Sequence, residues 1–460
     1  MRRVCSLVKR HQLSPHILVM FRESASMRYL TFVACLIAAG LTQAHDQIPG
    51  APQTRPIVIE GATLHPISGP PQENASLLFE AGRITAVGNN LEVPEGAIRI
   101  DASGKHVYPG MIDSMSDLGL REIGAVDVTL DSRETGSTNP NVRAWKAVNP
   151  DSELIPVTRA NGILTALVAP SGFGIRGQAA VLELDGWTAA DMALKAPAGL
   201  CVYWEGYESR GDDAKERAKD RETRLSELDT LLDESLRYAK LREADPEHTP
   251  TNVRLESLVP VANGELPIFA SADRQRTIES AVMYAVKRGL KMVIVGGYDA
   301  DRCAELLKKY EVPVIVTATY RLPRYRHDAY DASYTLPARL AAAGVEFAIC
   351  GETGDSSNAR NLPYHAANAV AYGLDEATAE RSVTLSAAEI LGVADQIGSL
   401  ETGKLATLVI TTGSILESDT QIEEAYVAGR KVDLRSRHTM LNEKYQQKYQ
   451  QRALERKLAQ

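Results

Sequence analysis

The chain has little of what would staple a small secreted domain together. Its 460 residues include only five cysteines, and Cys5 and Cys35 fall within the first 44 positions. Cys201, Cys303 and Cys350 remain. An odd set of widely spaced thiols makes no disulfide framework, so they read as small buried side chains. Excess positive charge is also missing: 51 Lys and Arg stand against 59 Asp and Glu, a net charge of -8. That balance argues against nucleic acid or an anionic membrane as a partner. The apolar run Leu30–Leu41 is too short to span a bilayer as a helix and is followed at once by polar sequence.

What is present at the start is a targeting pattern. Residues 1–44 carry six basic residues and one acidic. Arg28 precedes the apolar run, and Thr42-Gln43-Ala44 offers the small residues that signal peptidase requires. Cleavage near Ala44 and export, to a periplasm or to the medium, are expected, with no transmembrane anchor afterwards. Met27 is an alternative start. Val33-Ala34 before Cys35 faintly matches a lipoprotein box, but too little apolar sequence precedes it.

The mature part, with 44% hydrophobic and 24% charged residues overall, has the composition of an ordinary globular protein. Its length fits one large domain plus a smaller one. From Ile57 to Leu64 and from Ser76 to Val87, short branched runs are broken by Gly69-Pro70-Pro71 and by Glu80-Ala81-Gly82-Arg83, as in strands joined by tight turns. Apolar strands are then predicted at 162–170, 266–272, 292–296, 312–317 and 345–350, alternating with helices such as Arg276–Arg288 and Ala300–Lys309. This alternation is that of a parallel barrel. Gly211–Asp245 is highly charged, with Leu225, Leu228, Leu232 and Leu236 near helical spacing, and reads as an amphipathic insertion. Residues 436–460 read as a polar helical tail. Ser171–Gln178 is glycine-bearing but lacks phosphate-loop spacing and reads as a turn. Ser386, with Glu389 three residues on, reads as a capping box.

The stretch Tyr108-Pro109-Gly110-Met111-Ile112-Asp113-Ser114-Met115-Ser116-Asp117 resembles the start of the barrel in the amidohydrolase superfamily, particularly its imidazolonepropionase-like branch. Leu77–Gly88, Gly398–Ile410 and Ala425–Val432 resemble that family's outer strands. The resemblance implies an α/β fold: a TIM-like (β/α)8 barrel over 110–397, with a composite β-sandwich built from N-terminal strands (45–109) and C-terminal strands (398–435).

It also implies where chemistry belongs. The family's HxH metal pair falls on Met115 and Asp117, and its His-Ala-Asp on Ser271-Ala272-Asp273. Val295-Gly296-Gly297-Tyr298-Asp299 carries no histidine, and the final strand leads into Cys350-Gly351-Glu352-Thr353-Gly354-Asp355. Zinc needs at least three good donors, which one carboxylate and a serine do not supply, so no metal and no cofactor is expected. An alternative is a hard cation such as Mg²⁺ or Ca²⁺ held by Asp117 and Glu352. Glu352, Asp355 and Asp113 are the catalytic candidates, one acid donating a proton while another accepts it. Asp117, Ser271, Asp273 and Arg274 are the substrate-binding candidates. In competition with these roles, the acids pair with Arg274, Arg324 or Arg360, and Asp113 simply bonds loop backbone. His327 and His365 lie near the mouth and read as solvated or core-capping imidazoles.

Three functions follow. The first is an exported hydrolase of carbon–nitrogen bonds other than peptide bonds, with a degenerate metal site. The second is an inactive barrel that binds a small molecule, forms a homo-oligomer, or pairs with an intact amidohydrolase. The third, an envelope protein using the charged insertion, has least behind it.

Overall fold

The computed structural model describes residues 47–207, 213–351, 354 and 356–458. The targeting segment, with Met27 and Cys35, lies outside the described residues, as do Glu352, Asp355 and the first residues of the insertion. No helix among the described residues is long and apolar enough to cross a membrane.

Eight strands form the central sheet: β6 (Met111–Ser116), β7 (Ile163–Val168), β8 (Ile175–Glu183), β9 (Ala193–Val202), β10 (Ile268–Ala272), β11 (Met292–Gly296), β12 (Val314–Thr317) and β13 (Phe347–Cys350). They pair in chain order from β6 to β13 and curl into a nearly closed barrel. β6, β7, β11, β12 and β13 are buried along their whole length; β7, β11, β12 and β13 accordingly read as mainly apolar runs instead of alternating ones, while β6 buries Asp113, Ser114 and Ser116 as well. One layer of the interior takes a side chain from every strand: Ile112, Leu167, Val181, Cys201, Phe269, Val293, Ile315 and Ala348. Below it the helix Leu385–Leu391 inserts Ala387, Ala388 and Leu391. One end of the bore is therefore sealed with hydrocarbon, and polar chemistry is confined to the other.

The barrel departs from all-parallel order at one strand. β8 runs antiparallel to both β7 and β9, so β7 and β8 form a hairpin whose turn is the glycine-bearing segment 169–174. Gly174 holds φ +61°, and a Cβ there would stand 2.2 Å from the Ser137 carbonyl oxygen. Gly174→Ala is expected to destabilise the protein by roughly 1–3 kcal/mol, measurable as a lower urea midpoint.

The strands from the two ends of the chain share one mixed sheet. β1 (Ile57–Leu64), β2 (Gln72–Glu80), β3 (Arg83–Gly88), β4 (Ile98–Asp101) and β5 (His106–Pro109) join β14 (Leu408–Thr411), β15 (Ile422–Val427) and β16 (Arg430–Lys431) through the antiparallel β5–β14 pair. Pairing gives a single continuous sheet; the expected two-layer sandwich is not needed to describe it. Gly110 turns the chain from β5 into β6, where a Cβ would press to 2.7 Å on Leu164.

The helix Gln275–Arg288 shows why local pattern works here. Ile278, Ala281, Val282 and Ala285 are buried at helical spacing, and Gly289 ends the helix in the left-handed conformation. The charged insertion forms one 31-residue helix, Ala214–Ala244, begun by Asp213, whose side chain accepts from the Lys215 amide. Leu228, Leu232, Ser235 and Tyr238 are its buried stripe. Asp229 accepts from Tyr284 Oη at 2.9 Å and Asp233 from Arg288 at 2.6 Å. Leu236, expected in the stripe, is only half-buried, because four-residue spacing over three turns drifts off the face.

The capping box at Ser386 does not form. The helix starts at Leu385 with Thr384 before it and no side-chain cap bond, while Glu389 is drawn into a two-toothed pair with Arg381 at 2.7 and 2.6 Å. A charged fork outcompetes a single amide for that carboxylate.

Candidate active site at the barrel mouth

β6 and β13 are the two edge strands of the barrel. Asp113, third in β6, bridges them: its Oδ1 accepts the Gly351 amide at 3.2 Å. It is 2% exposed, and burial pushes its carboxyl up to about 7, against the hydrogen bonds it accepts. This is the backbone-binding role weighed for it from sequence, here across the seam.

Asp117 follows at the end of the same strand. Burial raises its carboxyl and the Arg121 guanidinium opposes that rise. Oδ2 stands 3.4 Å from Arg121, which also donates to the Gly354 carbonyl. Oδ1 is buried and has no hydrogen-bond partner among the described residues, and the hydroxyls of Ser114 and Thr165 are in the same condition. Buried carboxylate oxygens are ordinarily satisfied.

Across the bore lie Ser271, in β10, and Asp273, just past the end of that strand. Arg176, at the start of β8, donates to Ser271 Oγ at 3.0 Å and to the Gly172 carbonyl at 2.9 Å. Its guanidinium lies 5.0 Å from the centre of the Tyr203 ring. Asp273 pairs with Arg324 at 2.5 Å and more distantly with Arg321 at 3.6 Å. It also accepts the Tyr298 amide at 3.3 Å. Arg321 stacks 4.9 Å above Tyr298, and its charge reaches the buried Cys350 thiol at the top of β13. Arg321 thus stands between the β10 row and the seam.

This geometry sorts the residues expected from sequence. Asp113 and Asp117 meet on β6, Ser271 and Asp273 at the end of β10, and Asp273 takes the Arg324 partner considered for it. Arg274 is not brought in: it is exposed at the start of a helix, and its amide donates to Glu205 at 3.1 Å. Arg360 meets His438 at 2.8 Å. His327 is exposed and stacks on Tyr325. His365 is buried against the Thr319 hydroxyl at 3.2 Å, and burial lowers its imidazole to about 4, so it is neutral. Cys201, Cys303 and Cys350 are buried with free thiols.

Arg176 and Arg321 were not foreseen. The signal for the second was readable: Tyr320-Arg321-Leu322-Pro323-Arg324-Tyr325-Arg326 packs three arginines into a loop after a barrel strand. Among the described residues no three His, Cys, Asp or Glu side chains stand close enough to hold a metal ion.

Residues 276–442 match the family model described as Amidohydrolase family. Among curated proteins, Amidohydrolase tasK of Hapsidospora irregularis is 24% identical over 416 residues, covering 77% of this chain and 41% of that protein. A 5-methylthioadenosine/S-adenosylhomocysteine deaminase of Symbiobacterium thermophilum is 45% identical over 62 residues, 13% of this chain and 14% of that one. The chain therefore spans well under two thirds of either curated relative. An amidohydrolase structure from Thermotoga maritima MSB8 superposes with TM-score 0.72 at 26% identity, covering 82% of this chain and 100% of its own. Residues 276–442 thus resemble the amidohydrolase family in sequence, and the barrel as a whole resembles an amidohydrolase structure in fold.

Proposed function

We propose that the chain is an exported hydrolase of the imidazolonepropionase-like branch, acting on carbon–nitrogen bonds other than peptide bonds through carboxylates instead of a histidine-held zinc. Asp117 carries this reading. It is a buried carboxylate with one oxygen unpartnered among the described residues, standing at the end of the barrel where such folds do their chemistry. Burial keeps a proton on it more readily than on a solvated acid, which suits donation to a leaving nitrogen. Glu352 and Asp355, which follow β13 in sequence, are the acids proposed to take the proton from water. Asp113 holds the seam between β6 and β13.

Zinc does not fit the side chains at hand. The places that the resemblance assigns to imidazoles hold Met115, Asp117 and Ser271, and the Ser271 hydroxyl is engaged by Arg176. A guanidinium there repels a second cation. Protein purified without chelator is expected to carry far less than one zinc per chain. On a panel of imidazolones, hydantoins and N-acyl amino acids, Asp117→Asn is expected to cut kcat/KM by about 10²–10⁴-fold. Stoichiometric zinc overturns the reading, and stoichiometric magnesium or calcium would instead favour the cation held by Asp117 and Glu352.

A second reading, an inactive barrel that pairs with an intact amidohydrolase, is favoured by the apolar rim. Val128 (89% exposed), Leu322 (83%) and Phe173 (66%) stand on loops around the mouth, and apolar rims of this kind mark contact surfaces. Absence of turnover together with a stable complex with such a relative would select it.

A further inference from the structure

We propose that Arg176, Arg321 and Ser271 form a subsite for an oxyanion, the carboxylate of a small substrate, at the mouth of the barrel. This deepens the hydrolase reading above and rests on it for the identity of the substrate.

The first observation is an uncompensated cation. Arg176 is half-buried, and burial lowers its guanidinium, yet no carboxylate pairs with it among the described residues. Its partners are a hydroxyl, a carbonyl and an aromatic face. Taking an unpaired guanidinium out of water is strongly unfavourable, and burial of this kind persists where a counter-ion completes the site.

The second observation is independent of the first. Arg321 has Nε and one Nη buried with no hydrogen-bond acceptor among the described residues. Asp273, the carboxylate that pairs with it among the described residues, stands at 3.6 Å and is already held at 2.5 Å by Arg324. Asp273 thus faces two guanidinium groups, of which Arg324 is the nearer.

The geometry brings the two together. Ser271, in β10, receives Arg176, and Asp273, just past the end of that strand, faces Arg321. A planar guanidinium fork with open N–H groups matches the two oxygens of a carboxylate or the face of a phosphate. Stacking on Tyr203 and on Tyr298 fixes the orientation of both forks before any ligand arrives, which lowers the entropy cost of binding. An anion seated here lies across the bore from Asp117, so a carboxylate at one end of a substrate would direct its amide toward the acid.

The test is isothermal titration of the full chain with N-acetylglycine, with its uncharged amide N-acetylglycinamide, and with inorganic phosphate. N-acetylglycine is expected to bind saturably and at least tenfold more tightly than the amide. Arg321→Gln and Arg176→Gln should each weaken it about tenfold or more, and Arg321→Lys, which keeps charge and loses the fork, should fall between. Arg326→Gln, on the exposed side of the same loop, should leave binding unchanged. Circular dichroism of each variant separates lost binding from lost fold, and Arg321→Lys keeps the test decisive should a glutamine variant not fold. Phosphate binding without N-acetylglycine binding would keep the oxyanion subsite and assign it to a phosphate ester. Equal binding of acid and amide, or undiminished affinity in both arginine variants, overturns the proposal. So does the absence of saturable binding by either anion. Zinc content and turnover by the Asp117→Asn pair are read separately, so failure here without zinc removes the subsite alone, whereas stoichiometric zinc removes the hydrolase reading beneath it.

Discussion

Replacing Asp185 with alanine is expected to lower the unfolding free energy by about 3–5 kcal/mol, read from urea denaturation at neutral pH. Asp185 follows β8, and its side chain is fully buried. It lies 3.3 Å from Arg159, itself only 3% exposed, and 3.0 Å from Arg430 of β16. It also accepts the Gly50 amide at 3.2 Å, and its carbonyl accepts from Arg430 at 3.3 Å. One carboxylate therefore joins the barrel, the helix Leu154–Arg159 and the edge of the terminal sheet. Its removal takes away the carboxylate that Arg159 and Arg430 share in a nearly closed site, and the loss of that buried compensation sets the size of the effect. The exposed pair Arg99–Glu60, at 2.6 Å with the arginine 59% exposed, is the comparison. Glu60→Ala should change stability by less than about 1 kcal/mol. A loss below that figure for Asp185→Ala would show that the node is not a joint between the two sheets.

The second large effect is a dependence on pH. Burial raises Asp113 from the usual carboxylate range to about 7, and Glu380, also buried, to about 7. Between the ordinary value near 4 and about 7, the folded chain holds protons that the unfolded chain has released. Stability contributed by these groups is complete below pH 4 and is lost as pH rises through 7. Three units correspond to on the order of 4 kcal/mol for Asp113. His65 and His365 act oppositely, since burial lowers both to about 4 and acidification from 6.5 toward 4 removes stability. The parent curve therefore mixes both trends, and the informative quantity is the difference between parent and Asp113→Asn. The asparagine keeps an acceptor for the Gly351 amide and cannot ionise. Its stability relative to the parent should climb by about 1.4 kcal/mol per pH unit between pH 4 and 7 and level off above. A flat difference would mean that Asp113 is solvated in the folded chain.

Much of the barrel was legible because its strands are short apolar runs bounded by turns. β10 to β13 and the helix Gln275–Arg288 were readable for that reason. The reversal of β8 was not, since a strand buried on both faces has the same composition whichever way it runs. Neither was the failed capping box, which depended on Arg381 reaching Glu389 from the preceding helix. At the mouth, Asp113, Asp117, Ser271 and Asp273 could be found because strand ends have a fixed address in a barrel. Arg176 and Arg321 stand on loop-bearing segments, where the direction of a long side chain is set by tertiary contacts that no spacing encodes.

The Asp113–Gly351 contact also bears on how the chain comes together. Its two ends lie 238 residues apart in sequence, whereas each other neighbouring pair around the ring is consecutive in chain order. Bringing such distant partners together carries a loop entropy that adjacent pairs do not meet. Closing the ring is thus a late event in folding, slowed by topology, and it is completed by the same carboxyl whose protonation state the pH experiment follows.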